Sequence, residues 1–533
     1  MSHVEALRRA IPRRHPGRRP SAAVIAVLAV STLALAIASP AFAQEPLRDP
    51  ARDARRDWTA TSLEIGSIMA LGIGIYIYKG ERNAYDWPLS WNKVEERFTT
   101  LEQFRFDDNE FAMNNVVHPV AGALYYRFAR SNGFGPLGSS LWSIAGSTFW
   151  EVIVELREIA SLNDLIATPS PGIAIGEAMH QHTEFFRRGA PGFRNSAIEK
   201  AFSGPILINR LFSEPTPPRA AELTARGFPA DRAHRFHLYA GPAKSLRTPP
   251  LMAVPAPGET LSDPGEGAWM TTFGATSEIS SVEPPDGGGV HETAGLPLTR
   301  LELHVGMTGT TPTEMDLRAE AAFDGWRNAA LAGATTGDVR GHRWLVAPAT
   351  AFTVRLDHTP GARWMEMAAI AHVLGLRADG VVRRGPWRLR WEGTAFGDFS
   401  SIRPLALDSY MTTIGAIPRA HSILWRNQYY YSYGATLRSR LEVDVGPVGL
   451  RGEIDHNVFE PFQTPHREEE QWGRDDLALS DRRTLGRAWL EVRPVDGWLL
   501  AAGVEERDAW GRMGDVTIDE RESRLIFRVT ATP

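Results

Sequence analysis

The feature that most limits the fold of this 533-residue chain is a period of two, which starts near Arg232 and runs to the C-terminus. From Leu437 to Val445, leucine, serine and valine alternate with arginine, glutamate and aspartate. Successive side chains of a β-strand point to opposite faces, so this pattern predicts a strand with one apolar and one ionic face. The same alternation recurs in segments 300–305, 315–321, 387–392, 487–493 and 524–529.

Strands of this kind need two different environments, one for each face. In a soluble sandwich the apolar face meets a second sheet, whereas in an outer-membrane barrel it meets lipid. Short turns at 385–386, 446–447 and 496–497 alternate with long polar connections at 245–267, 281–297 and 461–483. This rhythm is typical of a membrane barrel, in which the ionic faces line the interior.

Aromatic residues near the predicted strand ends support the same interpretation, because interfacial girdles of membrane barrels lie there. They are Trp344, Trp364, Trp425, Tyr429, Tyr430, Tyr431 and Trp498. The sequence therefore predicts an α+β multidomain chain that ends in an antiparallel, outer-membrane-type β-barrel of about 12 strands over residues 232–533. A soluble barrel or two sandwiches are the alternatives. The C-terminal Ala531-Thr532-Pro533 departs from the aromatic ending common in outer-membrane barrels.

The N-terminus carries the features of a secretory signal peptide over residues 1–43. Six arginines between positions 8 and 19 precede an apolar run from Ala23 to Ala38, and Ala41-Phe42-Ala43 fits a cleavage site. The alternative is an uncleaved anchor. Export places the protein in the outer membrane, with lipid as its partner, or alternatively in the periplasm. The net charge of -5 gives no reason to expect a nucleic-acid partner, and the chain has no cysteine to form a disulfide.

Residues 58–212 have a helical pattern and predict a separate helical domain, which a proline-rich linker at 213–231 joins to the barrel. The segment Thr59 to Tyr78 is apolar except for Glu64 and approaches the length of a membrane span. Its glycines favour a helix packed closely on others. Further helices are predicted over 119–130, from 137 to 160, and from 171 to 188.

Polar residues inside these apolar helices are the candidates for chemistry. Glu151 and Glu155 lie four apart on one predicted helix face, where one of two buried carboxylates could hold a proton. They could instead pair with nearby arginines. Glu177-x-x-His180 has the spacing of a di-metal helical bundle, but the required second Glu-x-x-His is missing, so neither a metal nor a cofactor is expected. His118 stands alone at a helix start.

The helical region resembles a known bacterial family. The residues that carry the resemblance are Asn115-x-x-His118-Pro119, Gly122, Tyr125-Tyr126, Arg130-x-x-Gly133, Trp150-Glu151, Glu155, Asn163-Asp164-Leu165 and Gly172-x-x-x-Gly176-Glu177. Over residues 80–190 they are similar to the envelope family DUF3943, a domain of unknown function. The resemblance implies an exported protein of Gram-negative bacteria and assigns no catalytic residue.

Three functions remain open on the sequence alone. The first is a non-enzymatic barrel whose helical domain lies at the periplasmic mouth or plugs the lumen, and which handles lipids or solutes or organises the envelope. The second is a membrane-surface, lipid-modifying enzyme that uses His118 with Glu151 or Glu155, and the third is a passive pore. No nucleophile or phosphate-binding motif favours an enzyme. Candidate catalytic residues are His118, Glu151, Glu155 and Asp164; candidate binding residues are Glu177, His180 and Arg130.

Overall fold

The computed structural model describes residues 56–80, 90–99, 104–204, 220, 222–247, 269–282, 294–323, 325–332, 340–357, 365–417, 422–462 and 477–532. The predicted signal peptide, residues 213–219 and 221 of the predicted linker, and Trp364 lie outside these residues, so the domain boundaries remain predictions.

Twelve antiparallel strands close into a barrel, as the alternation predicts. They are β3 (Arg232–Arg247), β4 (Trp269–Val282), β5 (Ala294–Thr308), β6 (Thr311–Ala322), β8 (Arg340–Asp357), β9 (Glu366–Arg384), β10 (Trp387–Ile402), β11 (Tyr430–Val445), β12 (Val448–Pro461), β13 (Leu479–Val495), β14 (Trp498–Met513) and β15 (Val516–Ala531). Each strand pairs with its neighbour along the chain, β15 pairs with β3, and β6 pairs with β8. The strand β7 (Trp326–Ala332) extends the edge of β8. Two two-residue strands, β1 (Phe104–Arg105) and β2 (Ala160–Ser161), pair separately.

The two ends of the barrel differ. We call proximal the end at which the chain enters β3 and leaves β15, and distal the opposite end. Three two-residue turns lie at the proximal end, after β9, β11 and β13. Their glycines Gly385, Gly446 and Gly497 have φ of 57°, 59° and 83°, a conformation that residues with a Cβ rarely adopt. The connection from β10 to β11 lies at the distal end and contains the helices α8 (Leu407–Ile414) and α9 (Ser422–Asn427).

Apolar side chains of the strands point outward and ionic side chains point inward. On the outer face Leu441 and Phe527 remain 43% and 40% exposed, whereas Arg438 and Arg524 on the inner face are in ion pairs and largely removed from water. A soluble protein would bury the apolar face, so this arrangement is that of an outer-membrane barrel.

The lumen is filled rather than open over the described residues. Arg507 on β14 pairs with Glu314 on β6 at 3.0 Å, and Arg438 on β11 pairs with Glu302 on β5 at 2.7 Å. These strands lie on opposite sides of the barrel, so the pairs cross its interior. At the distal end, α8 and α9 bring apolar side chains against inward-facing residues of β9, β11, β12 and β13 and form a plug.

In the described part of the chain, seven helices precede the barrel. They are α1 (Trp58–Gly80), α2 (Trp91–Thr99), α3 (His118–Ser131), α4 (Pro136–Phe149), α5 (Asp164–Ala167), α6 (Pro169–Arg187) and α7 (Phe193–Phe202). Five-residue π-helical turns precede α3, at Met113–Val117, and follow α4, at Trp150–Val154. The predicted helix from 137 to 160 therefore ends early, because the wider π-turn interrupts the regular α-helical spacing.

The helical region packs on the outer wall of the barrel, not in its lumen. Ala174 of α6 lies in one hydrophobic cluster with Phe352 and Val354, which face outward from β8. Further along α6, Phe185 and Phe186 contact Ile279 on the outer face of β4. The sequence left two positions open for this region, the periplasmic mouth and the lumen. The structure places it at neither, because its apolar helices match the apolar outer wall and not the ionic interior.

Three of the predicted girdle aromatics are buried instead. Tyr429 and Tyr431 are covered by the helical region, and Tyr430 points into the lumen, where its hydroxyl donates to Asp481 at 2.6 Å. In contrast, Trp344, Trp425 and Trp498 are 42–49% exposed, as a girdle requires. The sequence could not distinguish these groups, because burial of the tyrosines depends on a segment more than three hundred residues away.

Candidate functional site

A buried polar network lies where the helical region meets the barrel wall. The Tyr431 hydroxyl donates to Asp107 Oδ1 at 2.7 Å, and Asn114 Nδ2 donates to the same atom at 2.8 Å. Asn114 also reaches the hydroxyls of Tyr429 and Tyr431, at 3.1 and 2.6 Å. The π-turn at Met113–Val117 directs Asn114 into this network. These hydrogen bonds join the segment before α3 to the start of β11.

The network extends through the connection between α4 and α6. Ser161 Oγ donates to Asn163 Oδ1 at 2.8 Å, and Asn163 Nδ2 donates to Asp164 Oδ1 at 2.9 Å. The backbone N–H of Asp107 donates to Asn163 Oδ1 at 2.9 Å. Asn163 therefore links Asp107, which precedes α3, to the connection between α4 and α6.

His118 lies beside this network and contacts two side chains. Its Nε2 is 3.5 Å from Asp164 Oδ2, and its Nδ1 is 3.3 Å from Thr168 Oγ1. The His118 side chain is 16% exposed, whereas Thr168 is 3% exposed. The Thr168 hydroxyl, the His118 imidazole and the Asp164 carboxyl therefore form a chain of contacts, but the Thr168 hydroxyl is not accessible to a substrate. The structure brings His118 to Asp164, not to the predicted partners Glu151 and Glu155.

Glu151 and Glu155 point to different places. The Glu151 Oε2 accepts the backbone N–H of Ser161 at 3.1 Å, whereas Glu155 Oε1 accepts Trp150 Nε1 at 2.9 Å. Glu151 lies within the π-turn and Glu155 follows it, so the four-residue spacing does not place them on a common α-helical face. Glu151 joins the buried network through Ser161, whereas the hydrogen bond of Glu155 to Trp150 lies outside it.

Carboxyl groups concentrate in this network, which affects the ionisation of Asp164. Burial raises its pKa well above the ordinary value, and the charges of Asp107 and Glu151 raise it further. A hydrogen bond with Asp107 acts in the same direction. Burial and the negative charge of Asp107 also raise the pKa of the Tyr429 hydroxyl. The surroundings of Asp164 thus favour its neutral form.

We expect the substitution Asp164→Asn to remove the contribution that titration of Asp164 makes to the pH dependence of the free energy of unfolding. The folded pKa of Asp164 is raised, so its contribution is complete below about pH 4, the unfolded pKa, and is lost as pH rises through the folded value. Asparagine stays neutral, so the variant should gain stability relative to the wild type as pH rises from about 4 to 8. Urea unfolding of the full chain in detergent measures this difference. Asp108→Asn, which removes a partner of Arg426, is the control and should not reproduce it.

The predicted binding residues form a separate ion pair. Arg130 Nε and Nη2 donate to the two oxygens of Glu177, at 2.8 and 3.1 Å. Tyr126 and Gln181 also donate to this carboxylate, both at 2.7 Å. His180 is buried one turn from Glu177 on α6. With this set of partners Glu177 fixes α3 to α6 and has little capacity left for a ligand.

None of the candidate residues above forms a cluster of metal ligands. The described residues contain no group of three or more His, Cys, Asp or Glu side chains that could hold a metal ion.

A second candidate site is a cavity of about 570 Å³ in the lumen, next to the proximal end; we call it the vestibule. Thirteen arginines but only seven aspartates and glutamates contribute to its lining. Many of these arginines pair with lumen carboxylates, as Arg388 does with Glu442 and Asp444. Carboxylates just outside this lining, such as Asp379, Glu392, Asp444 and Glu505, neutralise several of these arginines, so the guanidinium groups without a carboxylate partner are the ones that favour anions.

Arg528 differs from the other vestibule arginines. Its guanidinium lies 4.5 Å from the centre of the Tyr239 ring and 5.4 Å from that of Trp489. Among the described residues it forms no ion pair, and its Nε is buried without a hydrogen bond. Two aromatic rings therefore hold a cationic group in place without neutralising it.

Sequence reasoning missed Asp107, Asn114 and Arg528. Asp107 and Asn114 flank the family motif and resemble ordinary polar residues until the fold brings them to Tyr431. Arg528 fits the alternation of β15 like any other inward-facing charge. Its contacts with the rings of Tyr239 and Trp489 distinguish it, and they require the barrel to be closed.

The fold and this site define a class: an outer-membrane-type β-barrel with a helical region seated on its outer wall. Within this chain, the family model of DUF3943, a domain of unknown function, matches residues 103–206. The match confirms the resemblance carried by His118, Asp164 and Glu177. The family residues thus build the contact between the helices and the barrel.

Solved outer-membrane proteins are similar to part of this chain at low identity. None of the curated proteins compared with the chain matches it. The outer-membrane channel DcaP of Acinetobacter baumannii is 8% identical, with a TM-score of 0.18, and the match covers 58% of this chain and 99% of that one. A loop-deletion mutant of OmpT from Vibrio cholerae is 9% identical, with a TM-score of 0.21 and coverages of 57% and 100%. A FadL homologue of Pseudomonas aeruginosa is 10% identical, with a TM-score of 0.19 and coverages of 57% and 90%.

Proposed function

We propose that this protein resides in the outer membrane and binds a small anionic solute in its vestibule, without enzymatic turnover and without acting as an open pore. The observation that carries the proposal is Arg528, an unneutralised guanidinium held by Tyr239 and Trp489 in a cavity rich in arginine. A phosphate or carboxylate group matches the planar donor geometry of guanidinium groups.

The obstruction of the lumen supports solute binding over free conduction. Arg355 on β8 pairs with Asp455 on β12 at 2.7 Å, and Arg300 on β5 pairs with Glu392 on β10 at 2.8 Å. Together with the distal plug, these ion pairs separate the vestibule from the opposite end. Of the described two-residue turns, three lie at the proximal end and two at the distal end, after β5 and β14. Since short turns of outer-membrane barrels usually face the periplasm, we place the opening of the vestibule on that side.

The environment of His118 gives less support to a lipid-modifying enzyme. An acyl-transfer mechanism needs a nucleophile that the substrate can reach. The hydroxyl beside His118 belongs to Thr168, which is buried beneath α3. The His118–Asp164 contact is instead part of the network that seats the helices.

We expect Arg528→Met to weaken binding of citrate or inorganic phosphate to the full chain by about 10- to 100-fold, because a charge-assisted hydrogen bond contributes about 1.5–3 kcal/mol. Methionine keeps most of the side-chain length and removes the charge. Isothermal titration calorimetry of the wild type and variant in detergent at low salt measures the difference. Glucose serves as the neutral ligand and should not bind.

Arg521→Met is the matched control for this experiment. Arg521 is 56% exposed and pairs with Asp508 on the outer face, so its loss should leave the affinity unchanged. Equal anion affinity in Arg528→Met and the wild type would refute the vestibule site. Steady ion conductance of the wild type in a planar bilayer would favour the passive pore instead.

A further inference from the structure

We infer that α1, α3, α4 and α6, with the π-turns next to α3 and α4, lie within the bilayer beside the barrel, so that lipid acyl chains cover their outer surface. This inference is independent of the proposed anion site. The outer surface of these helices is covered by the same membrane that surrounds the barrel.

The lengths of the four helices match a bilayer. The segment Trp58–Tyr78 has a mean hydropathy of 1.5, and only 28% of it is buried inside the protein. The helix α6 has 19 residues, and each of the segments 113–131 and 136–154 combines an α-helix with a π-turn to nearly the same length. At 1.5 Å per residue, 19 residues extend about 28 Å, close to the ~30 Å of a hydrocarbon core.

The order and direction of the four helices agree with four successive crossings of the bilayer. Asp57 N donates to Asn132 O at 3.0 Å, so the start of α1 is near the end of α3. Ser147 Oγ near the end of α4 donates to Asp164 O at 3.0 Å, just before α6 begins. The helix α6 then runs from the distal side, near Phe352, to the proximal side, near Ile279. Four crossings return the chain to the proximal end, where β3 starts.

The surface that these helices expose is apolar. It includes Leu63, Leu71, Ile75, Ile77, Val116, Val117, Val120, Leu137, Leu141, Ile144, Phe149 and Ile153, each at least 40% exposed. A patch of this size is unusual on a soluble protein. It continues the apolar outer wall of the barrel, where Leu303 and Leu317 are 39% and 41% exposed next to α6. The lipid-facing surface of the barrel therefore extends over the helices.

Polar side chains of the same helices point away from this surface. Glu64 is fully buried and accepts a hydrogen bond from Asn132 Nδ2 at 2.6 Å. Ser143 Oγ donates to Gly122 O at 3.0 Å, and the Glu177 carboxylate binds Arg130. Polar groups satisfied inside and apolar groups outside are what a hydrocarbon environment requires. In water the opposite distribution is expected.

The chain offers a direct test, because it contains no cysteine. Single cysteines replace Leu141 or Ile144 in the full chain, carry a nitroxide spin label, and are reconstituted in phosphatidylethanolamine and phosphatidylglycerol vesicles. Collision with oxygen reports lipid, and collision with a water-soluble nickel chelate reports water. We expect high oxygen and low nickel accessibility at both positions, equal to those at Leu490→Cys on the barrel wall, which is 51% exposed.

Arg521→Cys on the polar outer face near the distal end supplies the aqueous reference. Nickel accessibility at Leu141 and Ile144 that reaches this reference would overturn the inference, since the helices would then lie in water. Low accessibility to both reagents would also overturn it, because a second protein copy would cover the surface. Neither result affects anion binding in the vestibule. A failure of this inference can therefore be distinguished from a failure of the proposed function.

Discussion

Replacing Glu177 by alanine is expected to lower the free energy of unfolding of the helical region by about 3–5 kcal/mol, the usual cost of removing one partner of a buried ion pair. The carboxylate accepts two hydrogen bonds from Arg130 and one each from Tyr126 and Gln181. Without it, the guanidinium remains buried between α3 and α6. The barrel itself should stay folded, because its strands pair independently of this contact.

Two signals separate these effects for Glu177→Ala. Helical ellipticity during a urea titration in detergent follows the helical region, and heat modifiability on a gel follows the barrel. Glu184→Ala is the control on the same helix: Glu184 pairs with Arg187 three residues away, near the surface, and its loss should cost less than about 1 kcal/mol. A cost for Glu177→Ala as small as that of the control would contradict the assignment of a structural ion pair.

Gly122→Ala is expected to destabilise the contact between α3 and α6 by about 1–3 kcal/mol, the typical cost of overpacking. A Cβ at Gly122 would lie 2.0 Å from the backbone oxygen of Thr168, and a Cβ at Gly172 on α6 would lie 2.5 Å from the carbonyl carbon of Gly122. Neither backbone can move aside, because both helices are fixed by the Arg130–Glu177 ion pair. The same urea titration measures the change.

The control for Gly122→Ala is Gly74→Ala, for which the expected effect has the opposite sign. No atom lies within 4 Å of a Cβ at Gly74. Alanine there should stabilise α1 by up to about 1 kcal/mol through its higher helix propensity. If both substitutions raised stability, the close approach of α3 and α6 would not exist in the folded protein.

The predictions that succeeded depend on local sequence. Alternation fixes which side chains of a strand share a face, so the barrel, its strand number and its turns at Gly385, Gly446 and Gly497 followed from the sequence. The apolar character of Thr59 to Tyr78 likewise predicted a helix, observed at Trp58–Gly80. Family residues such as His118 and Asp164 marked the region of the polar network.

The predictions that failed depend on contacts between distant segments. The position of the helical region, the burial of Tyr429 and Tyr431 and the partner of His118 all require the helices to be placed on the barrel. The interruption of α4 by a π-turn has no clear local signal either, and it separates Glu151 from Glu155. Candidate residues could thus be found from the sequence, but not their partners.

The sequence by itself determined that this chain forms strands with one apolar and one ionic face, preceded by apolar helices with a few polar residues. These properties follow from each residue and its near neighbours. Only the tertiary structure decided that the helices lie against the outer wall, that ion pairs cross the lumen, and that Arg528 contacts Tyr239 and Trp489 without an ion pair among the described residues. The physical reason is that each of these facts depends on which segments meet once the barrel has closed.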